Sequence, residues 1–157
     1  RNDMVLIFLQ QFLAAFLGTI AFSVLFKVPG RYYLFCGQIG AMGWSIYWSA
    51  VNMFHVSPYI GTFAAAVFVV MSSRIFCIKL KCPVTVFLLS GIFPLVPGVG
   101  IYWFIYYFIL GDMDKFTKYG RHTVGIAVAI VLGIIFVFEI PANAIEKICH
   151  LKHSKDL

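Results

Sequence analysis

Apolar residues fall in long runs separated by short polar connections. The runs cover 4–26, 32–51, 58–73, 84–110 and 122–138, each close to the about 20 residues that a helix needs to cross a bilayer core. The pattern predicts an all-α, polytopic membrane bundle of about five transmembrane helices, forming one domain over 1–157 with 139–157 as a tail. The third run is short and the fourth is long. The fourth also carries an interruption, Phe-Pro-Leu-Val-Pro-Gly-Val-Gly at 93–100, in a stretch without a charged residue. A helical proline removes a donor and clashes with the carbonyl four residues back, so Pro94 and Pro97 are expected to free the carbonyls of Ser90 and Phe93. Phe93 and Val96, each preceding a proline, are pushed toward extended geometry. Broken backbone at membrane depth is tolerated only where it is buried in protein or lines a cavity, and transporters build binding sites from such breaks.

Composition agrees with this picture. Hydrophobic residues make up 62% of the chain and charged residues 11%, which excludes an ordinary soluble domain. The first run is longer than a signal-peptide core and lacks a basic n-region with a cleavage site, so it reads as a permanent span. Lys27 and Arg31 follow that run, and Arg74, Lys79 and Lys81 follow the third, whereas 52–57 has no Lys or Arg. The positive-inside rule then puts the N-terminus outside and the tail, with Lys147, Lys152 and Lys155, in the cytoplasm. The connection 111–121 runs against this, because Lys115, Lys118 and Arg121 there are only diluted by Asp112 and Asp114. A re-entrant hairpin at 84–110 would make it cytoplasmic, and the full span is preferred. The net charge of +6 is assigned to topology and lipid headgroups rather than to nucleic acid. Tyr47, Trp48, Tyr59, Tyr106 and Tyr107 are expected near one interface and Tyr32 and Tyr33 near the other.

Small residues recur at helix-packing spacing: Ala14 and Gly18; Gly37, Gly40 and Gly43; Gly61 and Ala65; Gly125, Ala129 and Gly133. Such ridges let helices approach closely in lipid. The face carrying Gly37, Gln38, Gly40 and Gly43 is read as a packing face, with a substrate path as the alternative. Cys36, Cys77, Cys82 and Cys149 form no CxxC pattern, and no disulfide framework is expected. Cys149, His150 and His153 lack the partners of a four-ligand zinc site, so no metal and no cofactor is predicted. His55 reads as a solvated loop residue, with proton transfer as the alternative.

Enzymatic chemistry in a bilayer needs converging titratable or nucleophilic groups, and the runs supply almost none. There is no HExxH, GxSxG or P-loop. Glu139, just before Pro141, is either an interfacial anchor or a proton-coupling acid. Binding and translocation remain. Beyond Pro97, the amides of Gly98, Val99 and Gly100 open a half-helix whose positive end favours a carboxylate, and the carbonyls of Ser90 and Phe93 suit an ammonium group. The alternative is a structural kink whose freed groups are met by neighbouring helices or water.

The turn Lys27-Val28-Pro29-Gly30-Arg31, the glycine run Gly37–Gly43 and the segment Phe93-Pro94-Leu95-Val96-Pro97-Gly98, with Tyr102 soon after, occur in a familiar order over 27–103. In these features the chain resembles the small membrane component of the bacterial threonine/serine exporter family, in the split form where two membrane polypeptides replace one fused chain. The resemblance implies a secondary exporter of threonine or serine in the bacterial plasma membrane, with a dicarboxylate such as succinate as the alternative substrate. It also implies a larger membrane subunit as partner, and an ion gradient rather than ATP as the driving force. Independently, about five helices without an internal inverted repeat are few for alternating access, so a hetero- or homo-oligomer is expected. The substrate-contacting residues are then Ser90, Phe93, Pro94, Pro97, Gly98, Val99, Gly100 and Tyr102. A scaffold that only stabilises the partner is the competing reading.

Overall fold

A computed structural model describes residues 2–141 and Ile145. It consists of six α-helices, α1 (Asn2–Leu25), α2 (Tyr33–Asn52), α3 (Pro58–Leu80), α4 (Thr85–Ile92), α5 (Gly98–Leu110) and α6 (Met113–Phe138), with 3-10 turns at Gly30–Tyr32 and Phe93–Leu95. Among the described residues there is no strand. Taken singly, α1, α3 and α6 are long and apolar enough to cross a membrane, and α4 with α5 forms a further, bent span. At 20 residues α2 also has the length but is less apolar, so three helices and the bent pair meet both criteria, roughly compatible with the about five that the apolar runs predict.

Neighbouring helices pack in the series α1, α2, α3, α6, α5, and α4 fits into the angle between α2 and α3. Cys36 and Ile39 of α2, Ala65, Ala66 and Val69 of α3 and Phe87 of α4 form the centre of the core. Close approach depends on absent side chains. A Cβ on Gly40 would run into Thr19 of α1, one on Gly43 into Val69 of α3, and one on Gly133 would come within 2.8 Å of Ala66. The face of Gly37, Gly40 and Gly43 is thus filled by α1 and α3, and Gln38 is exposed. Gly18 behaves differently: nothing lies within 4 Å of its would-be Cβ, so the Ala14–Gly18 pair is not a packing ridge within this chain.

Two boundaries differ from the apolar runs. The third helix continues past 73 to Leu80, which takes Arg74 and Lys79 out of a connection and into α3. Arg74 Nη1 donates to the carbonyls of Val137 at 2.6 Å and Ile140 at 2.8 Å, and its guanidinium lies 5.5 Å from the centre of the Phe138 ring. It caps the C-terminal end of α6, where carbonyls lack intrahelical partners and the dipole favours a cation. The sixth helix starts at Met113 rather than near 122, so most of the expected 111–121 connection is helical. Gly111, at φ 74°, ends α5 in the left-handed conformation. Asp112 then caps α6, its side chain accepting from the Lys115 amide at 3.1 Å. The Cys149, His150 and His153 cluster and most of the 139–157 tail lie outside the described residues.

Candidate functional site

Between the two halves of the fourth span the axis bends by 53°, far less than the reversal a hairpin needs. Pro94 sits inside the 3-10 turn, and the Val96 amide donates to the Phe93 carbonyl at 3.1 Å. Val96 is extended, as expected before a proline, whereas Phe93, which also precedes one, stays helical at φ −59° and ψ −39°. Pro97, at φ −78° and ψ 58°, makes an inverse γ-turn in which the Gly98 amide donates to the Val96 carbonyl at 2.8 Å. Two expected groups are therefore already spent, the Phe93 carbonyl and the Gly98 amide. The amides of Val99 and Gly100 remain, since no backbone acceptor meets them among the described residues. They face outward along the first turn of a 13-residue helix, with its positive end.

A cavity of about 570 Å³ opens on this break. Residues 94–100 form one wall, and Trp44 and Tyr47 of α2, Thr62 of α3, Trp103 of α5 and Tyr119, His122 and Ile126 of α6 form the rest. Among the described residues no Lys, Arg, Asp or Glu lines it. Its aromatic walls are fixed by their own contacts. Trp44 Nε1 donates to Gln11 Oε1 of α1 at 3.0 Å, and Trp103 stacks on Tyr107 and Tyr119 with ring centres 5.7 and 6.3 Å apart. Thr62 returns its hydroxyl to the Pro58 carbonyl at 2.8 Å.

Pro94, Pro97, Gly98, Val99 and Gly100 line this cavity, whereas Ser90, Phe93 and Tyr102 do not. Ser90 is fully buried and directed to the Val86 carbonyl at 3.5 Å. Phe93 stacks on Phe22 of α1, centroids 3.6 Å apart. Tyr102 is exposed and stacks on Tyr106, on the outer side of α5. Its neighbour Trp103 takes the place at the cavity. Glu139 is the C-cap of α6, exposed, and 17 residues along the helix from His122, a rise of about 25 Å. His55 stands in the connection between α2 and α3, exposed and at φ 52°.

Thr123 adds a second unsatisfied group near the break. Most other buried hydroxyls in the bundle, those of Thr19, Ser23, Thr62 and Ser73, are bonded within about 2.8 Å to the carbonyl four residues back. Thr123 Oγ1 is buried without a partner and lies against Gly100. Among the described residues no three His, Cys, Asp or Glu side chains gather in a metal-binding group.

The cavity thus offers main-chain donors, aromatic faces and hydroxyls, a set fitted to holding and releasing a small polar molecule and without an activated nucleophile. In comparison with known families, the model described as "Threonine/Serine exporter, ThrE" matches residues 11–140. No curated protein and no solved structure matches the chain.

Proposed function

Because the chain belongs to the threonine/serine exporter family, a membrane transport family rather than an enzyme class, we propose that the α4–α5 break is its substrate-contacting element. The observation that carries this reading is the cavity at residues 94–100, lined by Val99 and Gly100, whose amides have no backbone acceptor among the described residues, and by aromatic rings. A carboxylate would be held by the Val99 and Gly100 amides at the helix start. An ammonium group would lie against Trp44, Tyr47 or Trp103, whose ring faces attract cations. That division suits a zwitterion such as threonine or serine. A dicarboxylate such as succinate fits less well, since it would call for two cationic or amide-rich ends.

The chain acts, in this reading, beside a larger membrane subunit of the same family in the bacterial plasma membrane, with the N-terminus outside and the C-terminus in the cytoplasm. The half-open cavity and the small number of spans support the need for a second membrane body, hetero- or homo-oligomeric. Counterflow of labelled threonine, serine and succinate into vesicles holding this chain, with and without the partner, tests it. Threonine or serine should move when both subunits are present. Gly98→Val, which adds a side chain where nothing lies within 4 Å, should lower counterflow per assembled complex. Unchanged counterflow in that variant would favour the scaffold reading, and no movement of any substrate would reject the exporter role.

A further inference from the structure

Two cavities meet at one histidine. An outer cavity of about 710 Å³ carries Asp114, Lys118 and Arg121 on its walls, and it shares Tyr119 and His122 with the cavity at the break. His122 Nδ1 lies 3.4 Å from the Tyr59 hydroxyl of α3. The Tyr59 ring is itself seated on Gly125, where a Cβ would come within 2.5 Å of it. The imidazole, itself exposed, stands at the junction between α6 and Tyr59 of α3, with charged groups on one side and an uncharged cavity on the other. Since Lys, Arg, Asp and Glu are missing from the inner walls among the described residues, His122 is the described lining residue that can bring a full positive charge to them.

We propose that His122 sets the charge of the inner cavity, binding the substrate carboxylate when protonated and releasing it when neutral. This rests on the reading of the break as the substrate path. A proton taken up on the imidazole makes both ring nitrogens donors, so Nδ1 donates to the Tyr59 oxygen and the added charge acts together with the Val99 and Gly100 amides on one carboxylate. Loss of the proton removes that attraction, and the zwitterion is then held by dipoles alone. The groups facing His122 are Tyr59 from α3, Tyr47 from α2 and, from α6 itself, Tyr119 and the outer trio. Lys118 and Arg121 oppose the added charge and Asp114 favours it. All three are exposed and act through water, which screens them. Trp103, the α5 neighbour, does not titrate.

Counterflow of labelled threonine through the reconstituted transporter, with equal pH on the two faces of the vesicle, tests this without a proton gradient. Counterflow should rise severalfold as the medium is made more acidic. His122→Gln should run flat at the high-pH level, and His122→Lys should be flat as well. The shape of each profile does not depend on how much protein assembles, so a poorly folding variant is still informative. A His122→Gln profile that keeps the wild-type rise overturns the proposal, as does a flat wild-type profile. If Gly98→Val abolishes counterflow while His122→Gln keeps the rise, the histidine role fails and the path stands. If Gly98→Val has no effect, the path reading itself fails.

Discussion

Thr123 of α6 fills the space in front of Gly100 of α5: a Cβ on Gly100 would lie 2.5 Å from Thr123 Oγ1 and 3.5 Å from Thr123 Cβ. The hydroxyl gains no hydrogen bond there, so the contact is one of shape. Gly100→Ala should destabilise the protein by about 1–3 kcal/mol through overpacking, seen as a lower melting temperature in detergent. Thr123→Ala removes an unpartnered buried hydroxyl and should be neutral or stabilising by about 1 kcal/mol. Combining the two should restore the Gly100→Ala loss, because only the Oγ1 contact is prohibitive.

The α1–α2 contact should respond differently. At Gly40 an added Cβ meets Thr19 Oγ1 and also Thr19 Cγ2 at 2.8 Å and Cβ at 2.9 Å. Gly40→Ala should therefore cost about 1–3 kcal/mol, and Thr19→Ala, which keeps its Cβ, should rescue it only in part. Gly18→Ala should be silent, since its Cβ would meet nothing. A melting series over these variants in one detergent checks all three expectations.

Arg74→Leu removes the side-chain donor from the Ile140 carbonyl and from the Val137 carbonyl, which among the described residues keeps only its bond from the Ile140 amide, an expected loss of about 1–3 kcal/mol. Hydrogen exchange should localise the loss to the last turn of α6, with the α1–α2 pair unaffected.

The start of α6 should respond to acid. Hydrogen bonds from the Lys115 amide and side chain, and the charge of Lys115, hold the Asp112 carboxyl below the usual carboxylate range. A lowered folded-state pKa contributes stability that is present above the unfolded value and is lost as pH falls through the folded one. Below about pH 4 the first turn of α6 should fray, and Asp112→Asn, still a good cap, should lose that acid sensitivity. Amide exchange at residues 113–116 measured across that range provides the check.

Much of this architecture was legible from residue order because apolar length and proline chemistry are local properties. Pro94 and Pro97 announce the break by themselves, and five cavity-lining residues follow from them. What they do with their freed groups was not legible, because the Phe93 carbonyl and Gly98 amide are satisfied by turns that depend on exact dihedral angles. Trp44, Thr62 and His122 come from three other helices, and nothing near 94–100 in the chain indicates that they meet it. The two misplaced helix ends share a cause. Charged residues at 74–81 and 112–121 resemble connections by composition, although Asp112 with Asp114 beyond it is a helix-start signal and Arg74 finds its partners 63 and 66 residues away.

The two halves of the fourth span keep different company. The first half, α4, is fixed against α2 and α3, while α5 leans on α6. The cavity consequently lies on a seam between two packing units joined covalently at Val96–Pro97, and its width is governed by how α6 crosses α3, where Tyr59 sits on Gly125 and Ala66 on Gly133. Swapping either of those glycines for a larger residue would act as a wedge from a distance, widening or skewing the site without altering any atom that a substrate touches.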